Sequence, residues 1–359
     1  MEQNTLFFIP DISGFTKFIT ETEVSHSKHI ISELLELIID SNQLGLQVSE
    51  IEGDAIFFFR PGTVPYLADI AEQAKKMFIE FHSRLKMYEQ YGICQCGACK
   101  TAHKLTLKII AHYGQAQSYK VKDHDKLIGK DVIVVHRLLK NNVPENEYLL
   151  LTDSVLQNNS AEIKGWFRLE PGHDTYDEIG KVGYGYSTLT PLMQEVKVSP
   201  PEEISLSNPF KIYEQELEIN APMEDIYALL IDLEKKNKWQ SGVKDVIIYD
   251  NKLNQVGTVH KCFTDHGNPD VITANVKITE NSMEFWEVDA KKIFSSMYRL
   301  ERITPDKTLI KFATFIKGSL ILRLMVKLFM QKKLVRGFSE SMSNLKKYCE
   351  ETFNPEKVS

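Results

Sequence analysis

One stretch sets the organisation of this chain. Residues 197–210, KVSPPEEISLSNPF, combine a Pro pair, an Asn-Pro and serines with no sustained hydrophobic periodicity, the signature of a linker. The stretch predicts a first domain over 1–196, a linker over 197–208 and a second domain over 209–359, each long enough to bury its own core. The net charge of −6 lies wholly in residues 1–200, with 26 acidic and 20 basic side chains, whereas residues 201–359 hold 23 of each. No basic surplus exists for a general nucleic-acid binder. The start, MEQNTLFFIPDISGF, has no basic n-region, and no apolar run approaches the ~18 residues that span a bilayer. Five cysteines, three of them within six residues, are not a secreted disulfide framework. A cytoplasmic protein is expected.

Periodicity predicts mixed α and β structure in the first domain. LFFIPD (6–11) is a short apolar strand ending at an Asp, and residues 26–41 carry the apolar stripe of a buried-face helix. GLQVSEIEGDAIFFFR (45–60) reads as a hairpin turning at Gly53–Asp54. A long amphipathic helix over 65–90, a strand over 104–114 and a helix over 131–141 follow, then a strand over 147–153 and a C-terminal hairpin.

Asp11 ends a strand and leads through Ile-Ser-Gly-Phe-Thr into a helix, while Asp54 sits in a turn between two hydrophobic strands. Carboxylates at strand ends beside a glycine loop suit a divalent ion and a polyphosphate. A helix N-cap at Asp11 and a simple turn at Asp54 explain the same residues. The order DISGFTKF, helix, EIEGDAIFFF, LKIIAHYG, LIGKDVIVVHRLL resembles the class III nucleotidyl cyclase catalytic domain over residues 5–193. The resemblance implies a ferredoxin-like α+β fold, a homodimer, a nucleoside triphosphate substrate and a two-metal Mg or Mn site. Its ligands would be Asp11, Asp54 and the carbonyl of Ile12, with the backbone at Gly14, Phe15 and Thr16 cradling phosphates.

Other positions depart from that pattern. The family helix reads Val-Asn-x-x-x-Arg, and here Arg137 is kept while Ile133 replaces the Asn that orients the ribose. Loss of one transition-state donor costs ~10²–10³ in rate. Glu50 stands where guanylyl cyclases carry Glu, but Lys126, at its partner position, fits neither purine class. Lys181 aligns with the late phosphate lysine. Solvated surface charge explains these residues equally well. Two functions therefore stand open: a cyclase, or a degenerate cyclase fold that binds nucleotide or metal and senses a ligand.

CQCGACKTAH (94–103) interrupts the cyclase pattern and offers Cys94, Cys96, Cys99 and His103, a donor set for tetrahedral structural zinc. Ordinary thiols or a redox pair are the other reading.

The second domain opens on an alternating strand, Asn220-Ala221-Pro222, a helix and Trp239, then some six strand-like runs and a long amphipathic helix over 319–352. This order resembles the START-like, polyketide-cyclase-like (SRPBCC) superfamily over 209–352. The resemblance implies a helix-grip fold, a curved antiparallel sheet around the C-terminal helix, holding an apolar small molecule or lipid. Trp239, Phe263, Phe285, Trp286, Tyr298 and Phe315 are the candidate lining, with plain core as the alternative. Residues 317–336 carry six basic and no acidic side chains among Leu, Met, Val and Phe. Such a helix either meets an anionic membrane peripherally or packs on its own sheet with a solvated basic face.

Overall fold

The computed structural model describes residues 2–122, 124–157, 163, 165–249, 253–265 and 267–353. The chain forms two units, residues 1–90 with 97–198, and residues 91–96 with 199–359.

The first unit runs β1 (Gln3–Ser13), α1 (Phe15–Glu21), α2 (Val24–Asp40), β2 (Gln47–Glu52), β3 (Ala55–Pro61), α3 (Leu67–Tyr91), α4 (Gly97–Thr101) and β4 (Thr106–Val121). Then come β5 (His124–Ile128), α5 (Lys130–Leu138), β6 (Tyr148–Thr152), α6 (Asp153–Leu156), β7 (Glu170–Tyr176) and β8 (Gly180–Thr188). The sheet order is β2-β3-β1-β4-β6-β8-β7, with β5 paired to β4. Helices lie between β1 and β2 and between β3 and β4, a βαββαβ arrangement, and only the β4–β6 pair is parallel among the described pairs.

The continuous apolar run of β1 explains its place at the centre. Thr5 through Ile12 are all buried, so the strand is covered on both faces. Phe7 and Ile9 pack with Phe57, Ile110 and Leu150 against Val134, Val135 and Leu138 of α5. The long α3 buries Ile70, Ala74, Met77, Phe78 and Phe81, the spacing of one helical face. Each such side chain contributes about 1.5–3 kcal/mol against the conformational entropy of ordering it.

The second unit runs β9 (Phe210–Ile219), α7 (Met223–Ile231), α8 (Lys236–Trp239), β10 (Val243–Ile248), β11 (Val259–Thr264), β12 (Asp270–Ile278), β13 (Ser282–Asp289), β14 (Phe294–Thr304) and β15 (Lys307–Ile316). These strands form one antiparallel meander in which β9 closes the far edge against β15. Helices α9 (Leu320–Met325) and α10 (Gln331–Phe353) follow, joined by a π turn at Val326–Met330. The helix expected over 319–352 is present as an unbroken helical run over 320–353 that contains this π turn. Met342, Leu345 and Cys349 of α10 are buried with Leu230, Trp239, Phe285, Tyr298 and Phe312, whereas Leu320, Ile321, Leu328 and Phe329 are exposed. No described helix is long and apolar enough to cross a membrane.

Candidate functional site

Strand pairing brings the two aspartates of the first unit to one end of the sheet. Asp11 on β1 lies opposite Ala55 on β3, the residue after Asp54, and opposite Lys108 on β4. The Ile12 N–H donates to the Asp54 carbonyl at 3.0 Å, which ties the two aspartate-bearing segments together. Gly53 holds φ at 65°, the left-handed region that lets the hairpin turn so tightly. The Lys108 Nζ sits 3.0 Å from Asp11 Oδ2 and donates to the Leu139 carbonyl at 2.9 Å. Burial, and then the negative charge of Asp11, push the Asp54 carboxyl above its ordinary value, with Lys108 opposing only in part. Two carboxylates facing one ammonium leave a residual negative charge, the electrostatic condition for holding a cation. Gly14, left-handed at φ 88°, Phe15 and Thr16 open the short α1 beside this end of β1.

The LKIIAHYG turn has a physical rationale of its own. His112 stacks on Phe7, and its ring nitrogens meet Thr152 Oγ1 at 2.9 Å and Asp131 Oδ1 at 3.1 Å. Asp131 also accepts the Gln115 N–H at 2.6 Å, and the His112 hydrogen bond holds its carboxyl below the usual range. A Cβ at Gly114 would stand 2.2 Å from Asp131 Cγ, so only glycine admits this carboxylate.

The positions expected to select the purine meet. Lys126 on β5 forms an ion pair with Glu50 on β2, and that hydrogen bond raises the lysine pKa. Beside them, His136 of α5 stacks on Phe57 at 4.7 Å and lies 3.6 Å from Glu52. Arg137 faces the β7–β8 turn instead, where it lines a pocket of about 280 Å³ with Tyr176 and Glu178 and its carbonyl accepts the Tyr176 hydroxyl. Ile133 is half exposed, and Lys181 is exposed on β8 opposite Thr175. Among the described contacts, neither Arg137 nor Lys181 touches the aspartate pair.

The cysteine stretch assembles with a different histidine from the one expected. Within the first unit, Cys99 Sγ lies 3.7 Å from His26 Nδ1. His103 is exposed on a 3-10 turn and outside this pair, because the chain after α4 carries it away on the way into β4. Nothing in the local spacing of 94–103 points to a histidine 68 residues upstream of Cys94.

The six aromatic residues expected to line one cavity of the second unit fall on two faces of its sheet. Phe285 and Trp286 are consecutive on β13, so their side chains point oppositely. Trp239, Phe285 and Tyr298 are fully buried core, with Trp239 edge-on to Tyr298. Trp286 stacks on Phe315 with Leu206 on the other face, and Phe263 is half-buried on β11. A different groove, of about 440 Å³, lies between β9 and the C-terminal helices, lined by Phe210, Tyr213, Leu320, Leu324, Lys327 and Phe338.

A buried charged cluster in this unit escapes sequence reading. Lys236 pairs with Glu287, and its Nζ lies 3.1 Å from His260 Nε2, all three side chains being almost inaccessible. Burial, and then the Lys236 charge, push the His260 pKa down to about 2. One signal was available: Glu287 shares the parity of Met283 and Phe285 on β13, the core-facing positions.

A family described as "Protein of unknown function (DUF2652)" matches residues 31–148. The uncharacterised protein Rv2561/Rv2562 of Mycobacterium tuberculosis is 38% identical over 127 residues, which are 35% of this chain and 59% of that protein. The chain thus spans less than two thirds of that relative's length. Among solved structures, the chain is similar over about half its length to class III guanylyl and adenylyl cyclase catalytic domains. The guanylate cyclase domain of RhGC from Catenaria anguillulae, in complex with GTP, is 22% identical with a TM-score of 0.39, over 52% of this chain and 98% of that one. A bacterial light-regulated adenylyl cyclase is 16% identical with a TM-score of 0.38, over 55% of this chain and 58% of its own.

Proposed function

We propose that the first unit binds a nucleoside triphosphate with Mg²⁺ or Mn²⁺ and forms a cyclic nucleotide with release of pyrophosphate. The observation that carries this reading is the Asp11–Asp54 pair, Asp11 buried and Asp54 half-buried, mutually repelling and only partly neutralised by Lys108. Hard carboxylate oxygens in that arrangement fit a divalent ion, and Asp11, Asp54 and the Ile12 carbonyl would hold it. A bound ion supplies charge neutralisation and Lewis-acid polarisation of the triphosphate. The backbone at Gly14, Phe15 and Thr16 positions the phosphates. Glu50 and Lys126, joined as one ion pair, present a donor and an acceptor together to the base. Arg137 and Lys181 lie away from the aspartates of their own chain, so a homodimer in which a second copy supplies them completes the site.

Purified protein with Mn²⁺ and each of the four nucleoside triphosphates tests this directly. Release of pyrophosphate and a cyclic product, abolished in Asp54→Asn, supports the reading. One specific observation favours a second reading, a fold that binds nucleotide without turning it over. Ile133, exposed where the resemblance places the ribose-orienting Asn, offers no hydrogen bond, and one lost donor is worth ~10²–10³ in rate. Metal-dependent nucleotide binding without product supports that second reading.

For the second unit, the groove between β9 and the C-terminal helices is the site we assign to an apolar or amphiphilic ligand. Arg323 lies 4.3 Å over the Phe210 ring at this groove. The exposed Leu320, Ile321, Leu328 and Phe329, with Lys327, Lys332, Lys333 and Arg336, form an apolar and basic surface suited to an anionic bilayer.

A further inference from the structure

We propose that Glu50, Glu52 and His136 form a binding site for a transition-metal dication of the zinc class at the edge of the first sheet. One donor atom from each of the three lies within 4.8 Å of the other two. Zinc with bonds of about 2.0–2.1 Å to imidazole nitrogen and about 2.0–2.2 Å to carboxylate oxygen separates two tetrahedral ligands by about 3.4 Å. His136 Nδ1 and Glu52 Oε2 stand 3.6 Å apart, too far for a hydrogen bond and close to the separation a shared ion sets. All three residues belong to the first unit.

The sequence places these donors by strand parity and by one ring contact. β2 ends the sheet order, and Glu50 and Glu52 are alternate residues on it, so both carboxylates leave the same face. Glu50 lies opposite Phe57 of β3, whose side chain shares that face and packs under α5. The Phe57 ring stacks on His136 with planes 4° apart, a contact through the ring face that uses neither imidazole nitrogen. Val134, Val135 and Leu138 bury the other side of α5 and leave His136 at its solvent flank. The side chains of Glu50, Glu52 and His136 are 27%, 50% and 30% exposed, so water can complete the ion's coordination and the site is open to exchange. Lys126 neutralises one of the two carboxylates through Glu50 Oε2, which leaves one negative charge and the other Glu50 oxygen for the ion. An imidazole beside carboxylates favours zinc-class ions over Mg²⁺, which separates this site from the all-oxygen aspartate pair. Its consequence rests on the nucleotide reading: an ion on Glu50 occupies the carboxylate assigned to the base, so zinc antagonises nucleotide binding.

Imidazole nitrogen NMR resonances of the purified full-length chain test the site, with His136→Gln identifying the His136 signal. Titration with Zn²⁺ is expected to give a saturable shift at His136 Nδ1, and zinc taken up by thiols does not enter a signal that belongs to one residue. The half-maximal Zn²⁺ concentration should rise roughly tenfold or more in Glu50→Gln and in Glu52→Gln, and stay unchanged in Asp54→Asn. Glu52 is half exposed, so its Gln variant keeps the fold even if the loss of the Lys126 pair disturbs Glu50→Gln. No saturable shift up to millimolar Zn²⁺, a shift undiminished in both Gln variants, or one lost in Asp54→Asn would each overturn the assignment. Added Zn²⁺ should also weaken nucleotide binding in the parent and not in Glu52→Gln. A zinc-dependent His136 shift with unaltered nucleotide affinity upholds the metal site and refutes Glu50 as a base contact, so the two readings fail separately.

Discussion

Replacing Glu287 by Gln should destabilise the second unit far more than an ordinary core substitution of the same volume. Lys236 and Glu287 are 2% and 7% exposed, so the carboxylate is the chief compensation for a fully buried ammonium. His260, held neutral by burial and by Lys236 itself, can accept an ammonium N–H at 3.1 Å but brings no opposing charge. At an effective dielectric of ~20, opposite charges ~3 Å apart attract by roughly 5 kcal/mol. Mutational experience with severed buried pairs gives about 3–5 kcal/mol. Against a typical domain stability of about 5–15 kcal/mol this is roughly a fifth of the total or more. In urea, with a slope of about 2 kcal/mol/M, the midpoint should fall by ~2 M. Trp239 lies three residues after Lys236 on α8 and is buried in the core of this unit, so its fluorescence follows this transition. The double variant Lys236→Met with Glu287→Met removes both charges and should return to within ~1 kcal/mol of the parent, giving a coupling energy above 2 kcal/mol. A Glu287→Gln cost below ~1 kcal/mol would refute the reasoning, since Lys236 would then have to be neutral or solvated in the folded chain.

The remaining expectations are more compact. His260 has a folded pKa of about 2 against 6.5 in the unfolded chain, so between those values only the unfolded state takes up its proton. Stability should therefore fall by about 1.4 kcal/mol per pH unit as pH drops below 6.5, and urea titrations of His260→Asn should lack that one-proton slope. Gly114→Ala drives a methyl to 2.2 Å from Asp131 Cγ and should cost about 1–3 kcal/mol, with the His112 imidazole resonances shifting as its partner is displaced. The raised Asp54 pKa means the fold binds that proton more tightly than the unfolded chain does, so ionising Asp54 costs stability as pH rises through the folded value. Mn²⁺ should accordingly raise Tm more at pH 7 than at pH 5, and Asp54→Asn should raise the metal-free Tm while abolishing the Mn²⁺ response. Charge reversal at Lys332, Lys333 and Arg336 should weaken co-sedimentation with phosphatidylserine vesicles by ~100-fold or more, at ~1 kcal/mol per lost cation, and unchanged binding would exclude that surface as the contact.

What could be read from the sequence was what short-range periodicity and spacing encode. The Gly53–Asp54 hairpin, the long α3 and the burial of β1 all follow from patterns a few residues long, because a strand or helix exposes its parity directly in the order of side chains. The π turn at Val326–Met330 could not be read so. A π turn needs one extra residue per turn but no special residue type, and the amphipathic pattern of residues 319–352 remains visible across it. For the aromatic residues the error was one of parity: six large rings suggested one cavity, yet adjacent positions such as Phe285 and Trp286 on a strand cannot share a face.

The groups that were missed share a physical reason. Lys236, His260 and Glu287 come from α8, β11 and β13, and each reads in isolation as a solvated or turn-adjacent residue. Their burial is set by sheet register: the β11–β12 and β12–β13 pairings carry His260 next to Val271 and Glu287 next to Thr273, alternate positions of β12 that share a face. His26 belongs to the same class, since its meeting with Cys99 depends on how α2 packs against α4 and on the Glu23 bonds that hold them. The cysteine spacing supplied three donors and His103 as the nearest fourth, whereas the fold sets Cys99 beside His26. A ligand within a few residues is constrained by local chain geometry, and the helical and 3-10 turns between Cys99 and His103 carry the imidazole away from Cys99. A residue from a separate helix has no such constraint, so the imidazole that meets Cys99 is the one the fold, not the motif, decides.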